Sequence, residues 1–244
     1  MYLFRRYFAL VCVLALSAGV WAKSRVEIAA ENTPAVVTVN VMHTDGTTYD
    51  ASGFIVAPDG VIVTTRHALE QAAHANITSH NGIVSGPAHV LGISQETDLI
   101  LLKIPARNLP TVTFADSDYV LPGQEITVIG SPRRLQNSVS SGIISQVRQA
   151  KNGQTLHQIS APISPSSSGS PVFNEQGYVI SVVFSSYKGE NNQNLNFSIP
   201  SNYVLDLLRQ HNYEPKMPAP PQQKTSYWDK VISYWSNVWH RLWK

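Results

Sequence analysis

Short β-branched and aromatic runs recur through the middle of this chain and leave few folds open to it. They fall at residues 35–42, 53–56, 61–64, 83–93, 99–104, 126–129, 138–147, 172–173, 179–184 and 194–199. Pro58-Asp59-Gly60, Pro122-Gly123, Asn152-Gly153 and Gln176-Gly177 punctuate them, residue types that favour tight turns. Most of these runs are too short for an amphipathic helix, and strands so numerous, with little helix between them, bury their apolar faces as a sandwich or as barrels. The expected fold class is all-β, with two similar β halves meeting near residues 110–122. Two helices are expected, at residues 26–32, ended by Thr33-Pro34, and at residues 201–211. In the second, Ser201 is the expected N-cap and Val204, Leu205, Leu207 and Leu208 form one stripe.

The ends differ in kind from this middle. Arg5 and Arg6 precede an apolar run over residues 8–20, and Val20-Trp21-Ala22 offers a cleavage site, so residues 1–22 read as an export signal. The alternative, an uncleaved anchor helix, needs a longer run. Cys12, the only cysteine, lies inside that segment, so the mature chain is expected to carry no disulfide and no thiolate metal site. Export without disulfides points to a bacterial envelope, periplasmic or secreted. Pro215, Pro218, Pro220 and Pro221 make residues 213–224 a stiff extended linker. Beyond it, residues 225–244 place Tyr227, Trp228, Val231, Ile232, Trp235, Val238, Trp239, Leu242 and Trp243 on one helical stripe, with charged and polar residues opposite. Such an amphipathic helix lies at a membrane surface, or packs against its own domain or another subunit of a homo-oligomer.

Charge excludes one class of partner. Residues 23–212 carry 11 basic against 14 acidic side chains. A slightly acidic body does not present the concentrated Lys and Arg that phosphate binding needs, so nucleic acid is not an expected partner.

Three residues carry the chemistry. Ser168 stands ahead of Gly169 in Ser166-Ser167-Ser168-Gly169-Ser170-Pro171, a turn between apolar strands where a nucleophilic hydroxyl and backbone N–H groups can share one space. A Ser/Gly/Pro cluster by itself is ordinarily only a loop. His67 follows an apolar strand in Thr64-Thr65-Arg66-His67-Ala68-Leu69, and Asp98 leads into the buried run Leu99-Ile100-Leu101-Leu102. A carboxylate at such a position is costly unless partnered, and a general-base imidazole is the partner it suits. His, Asp, Ser in that order is one of the known chain orders for a Ser-His-Asp triad. His43, His74, His80, His89 and His157 show no metal-ligand spacing, so no metal is expected on them.

These residues resemble a family. Ser52-Gly53-Phe54-Ile55-Val56-Ala57-Pro58-Asp59-Gly60 followed by residues 64–69, then Thr97-Asp98-Leu99-Ile100-Leu101-Leu102-Lys103, are similar to the His and Asp motifs of HtrA/Deg-type trypsin-like serine proteases. Asp116-Ser117-Asp118, Ile129-Gly130-Ser131-Pro132 and Leu195-Asn196-Phe197-Ser198-Ile199-Pro200 resemble later segments in the same order. The resemblance implies a double β-barrel protease domain over residues 23–212, with no metal and no cofactor. It implies His67 as base, Asp98 as its orienter, Ser168 as nucleophile and an oxyanion hole from the N–H groups of Ser166 and Ser168. Ser166 stands where the family has Gly, as does Ser170, and the first change implies a slow or switchable enzyme. No PDZ domain is expected to follow.

By the same resemblance Pro162 and Val183 occupy positions where Lys/Arg- and Glu-specific relatives keep Asp and His. Ile163, Val183 and Ser185 are then the expected lining of the primary pocket, with a small or medium aliphatic residue preferred before the cut. The expected activity is a serine endopeptidase acting on unfolded or exposed envelope polypeptides. The alternatives are a weak or inactive relative that binds peptide segments, and an anchoring protein acting through its Trp-rich end.

Overall fold

The computed structural model describes residues 22–130, 138–164, 166–186 and 195–218. All but the last residue of the expected export signal, the end of the expected linker and the expected helix at 225–244 lie outside the described residues.

A short helix opens the fold. Helix α1, Arg25–Asn32, starts at Ser24, whose hydroxyl accepts the Glu27 N–H while the Glu27 side chain returns to the Ser24 N–H. Its Ile28 is buried, and Thr33–Ala35 forms a 3₁₀ turn into the first strand.

Seven strands follow: β1 Val36–His43, β2 Thr48–Ala57, β3 Val61–Thr65, β4 Ala72–Ser79, β5 Val84–Ser85, β6 His89–Ile93 and β7 Leu99–Lys103. They form one sheet in the order β5-β4-β1-β2-β3-β7-β6. The two edge strands, β5 and β6, are joined by Gly86-Pro87-Ala88, so the sheet curls back on itself. The second unit is closed: β8 Glu125–Gly130, β9 Ser138–Gln149, β10 Thr155–Ile159, β11 Pro171–Phe173, β12 Val179–Ser186 and β13 Asn196–Pro200 run in the order β10-β13-β12-β11-β8-β9. Helix α2, Ser201–Gln210, buries Val204, Leu205, Leu207 and Leu208, each contributing roughly 1.5–3 kcal/mol of apolar transfer.

Three apolar clusters explain why two β units make one rigid cleft. Val37, Val39, Val41, Ala51, Ile55 and Ile77 fill the first sheet's concave side. Ile126, Ile144, Ile159, Val172 and Val183 fill the barrel. A third cluster joins Phe54, Leu99 and Leu101 of the first sheet to Ile129, Phe173, Val182 and Ile199 of the second, with α2 completing it. The strand period of two sends alternate residues of β7 into different clusters, Ile100 and Leu102 inward and Leu99 and Leu101 toward the barrel.

Several sequence expectations are corrected. The run at 83–93 is two strands rather than one, broken at Pro87, which has no N–H for a ladder. Strands β4 and β10 were not anticipated, because Ala72–Ser79 is weakly apolar and Thr155–Ile159 has His157 where an apolar side chain would advertise a strand. Ser201 is not the N-cap of α2. That position is Pro200, and the Ser201 hydroxyl donates to the Ala115 carbonyl at 2.8 Å instead.

His157 is 1% exposed inside the barrel, and its Nδ1 has no hydrogen-bond partner among the described residues. Burial pushes its pKa from 6.5 down to about 4, so the ring is neutral in the folded protein. Between those values the unfolded chain binds a proton that the folded chain refuses, so stability falls as pH drops from 6.5 and levels off below 4. The loss amounts to about 3 kcal/mol. His157→Leu is expected to remove that slope, narrowing the Tm difference between pH 7 and pH 4; an unchanged difference would assign it to other groups.

Candidate active site

The β3–β7 ladder pairs Thr65 with Leu99. That register sets the residues just beyond both strand ends side by side. The Arg66 N–H donates to the Asp98 carbonyl at 2.9 Å, and the His67 N–H donates to Asp98 Oδ1 at 2.9 Å. His67 opens a 3₁₀ turn, His67–Leu69, which swings its ring back over the strand end. Nδ1 of the ring meets Asp98 Oδ2, while the Asp98 side chain is only 13% exposed. With Nδ1–H held by the carboxylate, Nε2 carries the free lone pair and faces outward.

It faces Ser168. Nε2 and the Ser168 Oγ are 3.2 Å apart, across the cleft between the two β units. The turn carrying Ser168 is anchored from both sides. The Ser52 N–H donates to the Ser168 carbonyl at 2.9 Å, and the Ser52 hydroxyl donates to the Ser166 carbonyl at 2.8 Å. From the barrel, the Val183 carbonyl accepts the Gly169 N–H at 2.8 Å. Gly169 has φ +87°, and a Cβ there would lie 2.0 Å from the Ser52 carbonyl oxygen, so no other residue fits.

Ser166 has φ +75°. The backbone takes the left-handed conformation that glycine adopts freely, at a cost of about 1–2 kcal/mol for a residue with a side chain. The Ser166 and Ser168 N–H groups have no hydrogen-bond acceptor among the described residues. Two such donors beside a hydroxyl form a place where negative charge on an oxygen can be received.

Of the expected pocket residues, Val183 is 0% exposed and belongs to the barrel core, and Ile163 packs against the same cluster partly buried. Only the backbone of Ser185 is described, paired with Phe197. Two residues went unnoticed in the sequence. Phe184 sets its ring edge-on to His67 with centroids 6.2 Å apart, and its carbonyl accepts from the Ser168 Oγ at 3.4 Å. Ser52 ties the Ser168 turn to β2. Phe184 ends an apolar run and gave no polar signal; Ser52 lay in a quoted motif, but its tie spans 114 residues of chain.

A rolled sheet and a closed barrel, with imidazole, carboxylate and hydroxyl aligned in the cleft, define the trypsin-like double β-barrel class of serine hydrolases. Residues 51–182 match the trypsin-like peptidase domain family, and the chain belongs to it. A protein of Chlamydia pneumoniae named "Probable periplasmic serine endoprotease DegP-like" is 37% identical over 169 residues, which is 64% of this chain and 34% of that one. A protein of the same name from Halomonas elongata is 36% identical over 165 residues, 65% of this chain and 34% of its own. This chain thus spans about a third of those relatives' length. The HtrA-type protease AlgW, solved with a tripeptide, superposes with a TM-score of 0.71 at 25% identity, covering 77% of this chain and 63% of that one. The serine endoprotease of Yersinia pestis gives 0.68 at 27% identity, covering 78% and 66%.

Proposed function

We propose that this protein is an exported serine endopeptidase of the bacterial envelope, cutting unfolded or exposed polypeptides. The observation that carries the reading is the His67 ring spanning from Asp98 to the Ser168 Oγ. In this reading the Ser168 Oγ attacks the scissile carbonyl as His67 Nε2 takes its proton. Asp98 holds the ring's tautomer and stabilises the imidazolium. The carbonyl oxygen, now an oxyanion, is received by the N–H groups of Ser166 and Ser168. His67 then gives its proton to the departing amine, leaving an acyl group on Ser168. Water, deprotonated by the same nitrogen, releases it.

Past Val183, β12 is paired only with β13, and its other edge, beside Ser168, has no strand partner among the described residues. The residues before the cut add there as a strand. Val183 is closed inside the barrel, which leaves the partly buried Ile163 to favour a small or medium aliphatic side chain before the cut, because an apolar wall offers a charged group no partner.

An organophosphonate that phosphonylates activated serines tests the reading directly. Labelling of the purified protein is expected at Ser168, as read by peptide mapping, and to disappear in His67→Ala. A protein that stays unlabelled, and leaves unfolded casein intact, would favour a peptide-binding relative without catalysis.

A further inference from the structure

Two buried hydroxyl groups outside the triad join its halves. Thr64 stands on β3, three residues before His67, and its Oγ1 donates to the Ser52 carbonyl at 2.7 Å. The Ser52 N–H in turn holds the Ser168 carbonyl at 2.9 Å, and the Ser52 hydroxyl holds the Ser166 carbonyl at 2.8 Å. A continuous brace therefore runs from Thr64 through Ser52 to the turn that carries Ser168. Thr64 and Ser52 are both 0% exposed, so these bonds act away from water, where hydrogen bonds are electrostatically stronger.

Packing leaves the brace little slack. A Cβ on Gly169 would lie 2.0 Å from the Ser52 carbonyl oxygen and 2.5 Å from Thr64 Oγ1, so the Ser168 turn sits against the bond between them. A Cβ on Gly130, at the end of β8, would lie 3.0 Å from the Ser52 Oγ, so the barrel closes over that hydroxyl as well. The paired register of β2 and β3 reaches only to Phe54–Val63. Ser52 and Thr64 lie just past that end, where a side-chain bond takes over from the ladder. Thr64 is itself paired with Ile100, one step before the Thr65–Leu99 pair that brings His67 to Asp98. The end of β3 thus holds the imidazole on one side and, through the Thr64 hydroxyl, the Ser168 turn on the other.

We propose that Thr64 and Ser52 are positioning residues that tie the Ser168 turn to the strand carrying His67 and so set the separation between Nε2 and Oγ. The inference rests on the peptidase reading for what that separation does. A misplacement of about 1 Å can cost on the order of 100-fold in rate. Both residues are closed off from the cleft surface, so loosening the brace slows the chemical step and leaves substrate binding alone.

Three substitutions test it. Thr64→Val keeps the branched shape and removes the hydroxyl, Thr64→Ser keeps the hydroxyl, and Ser52→Ala removes the bond to Ser166. Thr64→Val and Ser52→Ala are each expected to lower kcat on unfolded casein by about 10- to 100-fold with KM within twofold of the parent. Thr64→Ser is expected to stay within threefold in both. Organophosphonate labelling of Ser168 separates position from folding, because its end point counts intact sites and its rate constant reports how well each one reacts. The rate constant is expected to fall with kcat in Thr64→Val and Ser52→Ala while the end point stays that of the parent. A lower end point with the parent's rate constant would make the two residues supports of the fold and overturn the inference, as would parent rates throughout. If Ser52→Ala does not fold, Thr64→Val against Thr64→Ser decides by itself. A parent protein that is labelled but leaves casein intact, with labelling slowed in Thr64→Val, upholds the brace and overturns the endopeptidase reading instead.

Discussion

Ser168→Ala is expected to lower kcat on unfolded casein by about 10⁵- to 10⁶-fold, and His67→Ala by a similar factor. The Ser168→Ala, His67→Ala double variant is expected to be no slower than either single one. In the proposed mechanism the Ser168 hydroxyl passes its proton to the imidazole 3.2 Å away, so removing either partner removes the same step. A residual rate above water is expected in all three, because the Ser166 and Ser168 N–H groups survive the substitutions. Initial rates with active-site titration of the parent protein supply the measurement. Multiplying losses in the double variant would show that the two side chains act in separate steps. A Ser168→Ala rate within tenfold of the parent would remove Ser168 as the nucleophile.

Asp98→Asn is expected to cost about 10⁴-fold in kcat with KM within twofold of the parent. The substitution keeps an oxygen to accept the His67 N–H, so the turn and the fold survive. What it changes is the proton on the ring. An amide nitrogen opposite Nδ1 donates where the carboxylate accepts, so the ring turns to the tautomer with its proton on Nε2. The lone pair then faces the wrong neighbour, and the imidazolium formed during attack has no counter-charge. A fall in KM alone, or a loss below a hundredfold, would make Asp98 a structural cap for the His67 turn rather than the orienter of its ring.

The strand-and-turn plan was legible in the sequence because turn residues with special backbone needs bracket most hairpins. Gly60, Gly123, Gly153 and Gly177 all have positive φ, and each sits in a turn expected from its dipeptide or tripeptide. Strands that broke the pattern were invisible. His157 put a polar group in the centre of β10, and the core of the barrel tolerates it only as a neutral ring. Ser201 looked like a cap because local sequence cannot tell whether a hydroxyl will reach the helix or the Ala115 carbonyl, 86 residues away in the chain.

Asp98 could be nominated from sequence because it leads into a buried strand, where a carboxylate needs a partner, and His67 and Ser168 because a base after one apolar strand and a hydroxyl ahead of a turn glycine complete the His, Asp, Ser order. Their alignment could not. The Thr65–Leu99 register brings His67 to Asp98, and Ser52 brings the Ser168 turn to both. A register is set by how whole strands share a core, and a shift of one residue would turn His67 away while leaving every motif intact. Ser166 makes the same division. The sequence by itself determined that a glycine-like position holds a serine, along with the all-β class, the turn positions and the three chemical groups. Only the tertiary structure decided that this serine takes the left-handed backbone, because Ser52, 114 residues away, fastens its carbonyl from another sheet. Contacts between residues far apart in sequence leave no local signature, so the cleft and its two walls exist only in the folded chain.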